Sequence, residues 1–303
     1  MSKCLILMLI VVVMTESVAA QYDLPPLNDC PSEILFVSNR TGNDELFLMS
    51  GDGTNVRNLT NNDSSDFGAR WSPDGSQIVF TSDRDGAINI FVMDADGSNI
   101  EQLTFNDTED SFPVWSRDGS QIAWTSYSQG NGDVFIMNAD GSNPRPLITT
   151  PGLDFASAWS PDNSLFGFES DADGSFDVFV LPDLNAPDDA IRVTESEGDD
   201  FGMAWSPDGK QIAFNYSGVS TNGIAVMLVQ TYAVDVDPLR VVSDLANNAS
   251  IPSWSSDGTQ IAFSARTQET DDVFVVNTDG SGLTNLTNSD GVDDYYPFWR
   301  PCP

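Results

Sequence analysis

Apolar positions in this chain come in short runs, not in helical stripes. Gln-Ile-Ala-Phe at 211–214 and 260–263 alternates faces, and Val-Phe-Ile-Met at 134–137 runs apolar for four residues. Both patterns belong to strands covered on their two sides. Turn signals of a defined kind stand between the runs. In Ser72-Pro73-Asp74-Gly75 the proline presets φ at the second position, and the glycine accepts the left-handed backbone that closes a hairpin. Where that glycine is missing Asn163 replaces it, and asparagine is next in tolerance of the conformation. Asp96-Gly97, Asp140-Gly141 and Asp279-Gly280 mark a second turn. No amphipathic helical pattern intervenes, so an all-β chain is predicted.

The runs are parts of one repeated unit. Trp71, Trp115, Trp159, Trp205, Trp254 and Trp299 stand 44, 44, 46, 49 and 45 residues apart. Five of them open a common string: WSPDGSQIVF (71–80), WSRDGSQIAW (115–124), WSPDNSLFGF (159–168), WSPDGKQIAF (205–214) and WSSDGTQIAF (254–263). Each unit holds four strands: one ending at the tryptophan, one at the QIAF segment, one at the VFIM segment and one near a Leu-Thr or Val-Thr pair. Four strands in about 45 residues, repeated, predict a six-bladed β-propeller. The first unit lacks its tryptophan strand, and Tyr296-Pro297-Phe298-Trp299 at the far end supplies one. The ring is therefore expected to close by pairing the C-terminal strand with the N-terminal blade, which satisfies both open edges. The least regular stretch is 216–243, read as a surface insertion.

The beginning of the chain reads differently. Lys3, the apolar run at 5–14 and Val18-Ala19-Ala20 form a signal peptide over residues 1–20. Residues 21–33 are an extension, and 34–303 form the propeller as a single domain. An exported protein, periplasmic or extracellular, is expected. Cys4 leaves with the signal, and Cys30 and Cys302 both align with Asp74 of the repeat, so a Cys30–Cys302 disulfide is predicted at the seam of the ring.

Charge narrows the function. The 303 residues carry 46 Asp+Glu against 12 Lys+Arg and no histidine, a formal net charge of −34. Phosphate neutralisation needs basic residues in quantity, so nucleic acid is excluded as a partner. No later apolar run could span a membrane, and a monomer in solution is expected. Catalysis through Ser-His-Asp or Cys-His is absent for want of histidine.

The strings W-S-P-D-G-x-x-I-x-F, Ser82-Asp83-Arg84-Asp85-Gly86 and Met93-Asp94-Ala95-Asp96-Gly97-Ser98-Asn99 resemble the WD40-like (PD40) repeats of TolB-type propellers over about residues 34–301. TolB-type chains carry an α/β domain before the propeller, and only some dozen residues separate leader and first strand here. The resemblance implies a protein partner at the mouth of the central channel.

Candidate chemistry follows from the repeat itself. Asp66, Asp110, Asp154, Asp200 and Asp294 each lie five residues before a tryptophan, and only Ala249 breaks the series. In a propeller this position faces one mouth of the channel. The acids are read either as acceptors that fix their own connections or as a ring that binds a partner or cation, with Glu109, Asp199 and Asp293 beside it. Arg70, unique to its blade, and Tyr295 are possible contact residues. The tryptophans are read as packing between blades, and Arg40 and Arg84 as partners for carboxylates. No cofactor is required. Ca²⁺ is considered at Asp94-x-Asp96-Gly97 and Asp171-x-Asp173-Gly174, although neither has the later bidentate Glu. The expected function is non-catalytic binding of a protein or peptide. The alternative is a carboxylate-based, cation-assisted glycoside hydrolase or polysaccharide lyase acting in the channel.

Overall fold

Strand formation begins at the Ser-Pro-Asp-Gly turn. In a computed structural model, which describes residues 31–217, 222–228, 240–243, 250–267 and 269–302, Asp74 accepts the Ser72 hydroxyl at 2.6 Å and the Ser76 N–H at 3.0 Å. The Ser72 oxygen in turn accepts the Gln77 N–H at 2.9 Å. Gly75 closes the turn at φ 67°, and Asn163 does so at φ 61°. Each such turn delivers a tryptophan strand into the next strand. Among the described residues, the strands assemble into six four-stranded sheets, and helix is confined to one 3-10 turn at Pro187–Asp189.

The first blade is mixed, as expected. Glu33–Ser38 pairs with Glu45–Ser50 on one side and with Asp294–Trp299 on the other. Ile34 faces Trp299 and Ser38 faces Asp294 in that register. The blade is completed by Arg57–Asn58. The innermost strands of the other blades are Asp66–Trp71, Asp110–Trp115, Asp154–Trp159, Phe201–Trp205 and Ser250–Trp254.

The core lies between blades. Leu35, Leu46 and Leu48 of blade one pack on Trp71, Ile78 and Phe80 of blade two. Corresponding clusters join two to three, three to four, four to five and five to six. A last one brings Ile34, Phe36 and Trp299 against Ala262, Val273 and Val275, closing six back on one. Phe36, Phe80, Phe168, Phe214 and Phe263, one repeat position, are all buried, at most 2% exposed. Each contributes about 1.5–3 kcal/mol by leaving water. Five of the six repeat tryptophans are at most 9% exposed, which agrees with packing between blades. Trp124, in line with the phenylalanines, is core as well. Of the irregular stretch 216–243, strands Gln211–Ser217, Asn222–Leu228 and Arg240–Ser243 pair in order. Its remainder lies outside the described residues. Cys302 is disulfide-bonded; Cys30, its expected partner, lies outside them too.

Candidate functional site

Every innermost strand runs from one mouth of the channel to the other, from the aspartate position to the tryptophan. Each pairs irregularly with its neighbour, with a register shift that marks a β-bulge. A bulge re-aims the side chain it carries. Two positions after the aspartate site, the backbone is left-handed at Gly68, Phe112, Gly202, Ile251 and Tyr296. Glycine adopts this at little cost, whereas Phe112 (φ 54°), Ile251 (φ 42°) and Tyr296 (φ 54°) do not. Adjoining innermost strands approach closely here: a Cβ on Gly202 would stand 3.0 Å from the Ile251 Cα. Strain held by bulky side chains at such sites accompanies function more often than chance.

The bulges build a cavity. Its volume is about 900 Å³, and Phe112, Phe155, Phe176, Phe201 and Tyr296 are among its walls. Phe112 meets Phe155 and Tyr296 edge-on, with centroids 6.3 and 6.0 Å apart. Asp199 and Asp293 add carboxylates just before innermost strands, Asp44 adds one just before Glu45–Ser50, and Asp271 adds one within Thr270–Asn277. Tyr295 lines the cavity too; burial and its hydrogen bond to Asp44 push its hydroxyl pKa up. A second cavity of about 240 Å³ at the tryptophan end is lined by all six repeat tryptophans. Arg70, Ser157 and Ile251 border both cavities and so mark the waist of the channel.

The five repeat aspartates stand at or just before the first residue of an innermost strand, and none exceeds 1% exposure. Asp66 receives Arg84 Nη2 at 2.8 Å and Asn62 Nδ2 at 2.6 Å. Asp294 receives Arg40 Nη2 at 2.8 Å. Asp110 accepts from Asn106 Nδ2, and Asp154 from the Thr150 backbone N–H and hydroxyl, both at 2.9 Å. Asp200 accepts the Ser217 N–H at 3.1 Å. These bonds tie each connection to its own blade, so the side chains that meet solvent at this mouth are their neighbours. Of those named from the sequence, Asp199 and Asp293 line the cavity. Glu109 instead accepts the Ser111 hydroxyl at 3.0 Å.

Glu169 escaped the sequence reading. It occupies the position of Thr81 and Thr125, whose hydroxyls accept the Phe112 and Ala156 N–H at 3.1 and 3.2 Å. Glu169 does the same for Met203, Oε1 to N–H at 3.0 Å, but brings a charge with it. Burial pushes its carboxyl up to about 6, against the pull of the Met203 N–H and the Ser157 hydroxyl. Its departure from the threonine of its siblings was a readable signal. Asp44 was missed for a related reason: the equivalent backbone carbonyls of Asp44, Ile88, Gly132 and Phe176 all accept from the next innermost strand, while the side chains differ freely.

No cluster of three or more metal-ligating side chains occurs among the described residues. The acids of the two turns considered for Ca²⁺ are engaged: Asp96 accepts the Ser98 N–H of its own turn at 2.9 Å, and Asp171 the N–H of Leu153, on the connection before Asp154–Trp159, at 2.6 Å. Nor is any described helix long and apolar enough to cross a membrane.

Residues 25–130 match the family model described as the TolB beta propeller domain, PD40. TolB from Acinetobacter baumannii is 22% identical, with TM-score 0.79 over 89% of this chain and 67% of that one. A protein assigned as TolB from Agrobacterium tumefaciens is 20% identical, with TM-score 0.68 over 89% of this chain and 99% of that one. A chain of the nidogen/laminin complex, 10% identical, reaches TM-score 0.71 over 89% and 99%. Among curated proteins no sequence matches. With the six sheets, the seam and the repeat strings in agreement, the chain is a six-bladed β-propeller whose fold is similar to that of TolB propellers and whose residues 25–130 match the PD40 model.

Proposed function

We propose that this chain is an exported, non-catalytic propeller that binds a protein or peptide at the acidic mouth of its channel. The carrying observation is the cavity of about 900 Å³, where Asp44, Asp199, Asp271 and Asp293 surround aromatic side chains raised by strained bulges. An apolar wall inside an acidic rim suits a segment with an apolar anchor beside Lys or Arg. The buried aspartate ring adds to the field at this mouth and steers such a segment toward it. The likeness to TolB propellers supports a protein partner, and the nidogen/laminin chain comes from a complex between proteins. Export rests on the leader at 1–20, and a Cys30–Cys302 bridge belongs with it.

The test uses the amidated peptide Lys-Lys-Ala-Phe and calorimetric titration at low salt. Binding is expected with a Kd below about 1 mM, weakened by salt as exposed charges are screened. Changing Asp44, Asp199, Asp271 and Asp293 together to Asn should weaken it about tenfold or more. Unchanged binding by a folded quadruple variant would overturn the reading.

The hydrolase or lyase alternative has in its favour the raised pKa values of Glu169 and Asp200, of which only Glu169 lines the cavity. Two-carboxylate glycoside chemistry needs a second acid held across the scissile bond. Glu169 is instead tied to the Met203 N–H, in the electrostatic reach of Arg70.

A further inference from the structure

Arg70 stands apart from every other shielded arginine of the chain. Among the described residues, Arg40, Arg84, Arg192 and Arg300 are half-buried, and each has a carboxylate oxygen within 2.8 Å. Arg70 is half-buried too, yet no carboxylate of the described residues lies in ion-pair range. Its one hydrogen bond there runs from Nη1 to the Ala69 carbonyl at 3.1 Å. The chain has 46 acids for 12 bases, so a lack of carboxylates does not explain the exception. Burial costs this cation enough to pull its pKa down to about 9, and Glu169 offsets the cost through space without touching it.

The guanidinium is also aimed. Its Cζ lies 3.5 Å from the Phe298 ring centroid, so a face of the plane is covered by an aromatic ring. The N–H edges stay available at the channel waist, where Arg70 borders the large cavity. A planar fork of donors matches a carboxylate by two parallel hydrogen bonds. Above it, Phe112, Phe155 and Tyr296 offer an apolar wall, and beyond that stand the four rim aspartates, with Arg266 beside Asp271 leaving the rim net negative. Read from floor to rim, the order of complements is anion, apolar group, cation.

A free carboxylate would be repelled by the rim, whereas a peptide with basic residues ahead of its last side chain meets each layer with its complement. We infer that the cavity receives the carboxy terminus of a partner, with the terminal carboxylate on Arg70, the last side chain on the aromatic wall and preceding basic residues at the rim. The inference rests on the partner-binding reading and adds which end of the partner enters.

The experiment compares Lys-Lys-Ala-Phe as free acid and as amide, by calorimetric titration against the wild type and Arg70→Gln. On the wild type the free acid should bind about tenfold more tightly, as charge-assisted hydrogen bonds to a buried guanidinium predict. On Arg70→Gln, checked for its fold by near-ultraviolet circular dichroism, acid and amide should bind alike. Equal affinities on the wild type would overturn the carboxylate anchor and leave the acidic-mouth reading in place. A preference for the acid that survives in Arg70→Gln would remove Arg70 from the role. Binding of neither peptide would overturn both readings. The wild-type comparison needs no variant, so misfolding of Arg70→Gln cannot shield the proposal.

Discussion

Blades one and two treat the repeat aspartate differently from blades four and five. In the first pair, Asp294 and Asp66 are each met by an arginine, Arg40 or Arg84, whose guanidinium also lies over two phenylalanine rings. In blade four Ala172 stands where Arg84 stands, and Asp154 relies on Thr150. In blade five no ion pair to Asp200 is found among the described residues, and burial pushes its carboxyl up to about 6; one oxygen without a hydrogen-bond partner it shares with Asp294. The backbone position and the burial are common to all four. What differs is the neighbour, which decides whether a buried negative charge is compensated or only tolerated.

The contrast can be broken most severely at Arg84. Arg84→Ala leaves the Asp66 charge buried with only Asn62 against it, and should lower unfolding free energy by about 3 kcal/mol in chemical denaturation. A loss below that of an ordinary surface substitution would show that the clamp is ornamental. Next in size is Asp200→Asn. A carboxyl with a raised folded-state pKa costs stability once ionised, so the cost is present above about pH 6 and disappears as pH falls toward the unfolded value. The variant should therefore gain about 1–2 kcal/mol over wild type at pH 7.5, about a third of that at pH 4.5 and nothing near pH 3. A gain of equal size at all three pH values would contradict the assignment. The smallest effect is expected from Ala172→Arg, which copies the clamp into blade four. A rise in melting temperature equivalent to about 0.5–1 kcal/mol is predicted, since the new side chain is partly exposed.

Much of the ring could be read from the chain because its elements are local and repeated. The turn at Ser72 to Gly75, the strand runs and the tryptophan interval each state their own geometry. The incomplete first unit even announced that Asp294–Trp299 must return to it. The site was less legible. Phe112 and Tyr296 project into the channel because their backbone is left-handed, and neither residue type signals that preference. It arises from bulges and from packing against the adjoining innermost strand. Glu169 and Asp44 were hidden in the opposite way, since comparing units draws the eye to shared positions, and both are departures from what their siblings carry.

From the amino-acid order alone came the unit, its sixfold count, the mixed blade and the acidic character of one end, because each depends on residues close in sequence or on total charge. Tertiary structure alone decided that the repeat aspartates are interior struts, that Arg70 lies at the waist without an acid beside it, and that aromatic side chains wall the mouth. Those outcomes depend on distances between blades far apart along the chain, and packing, not local preference, sets such distances.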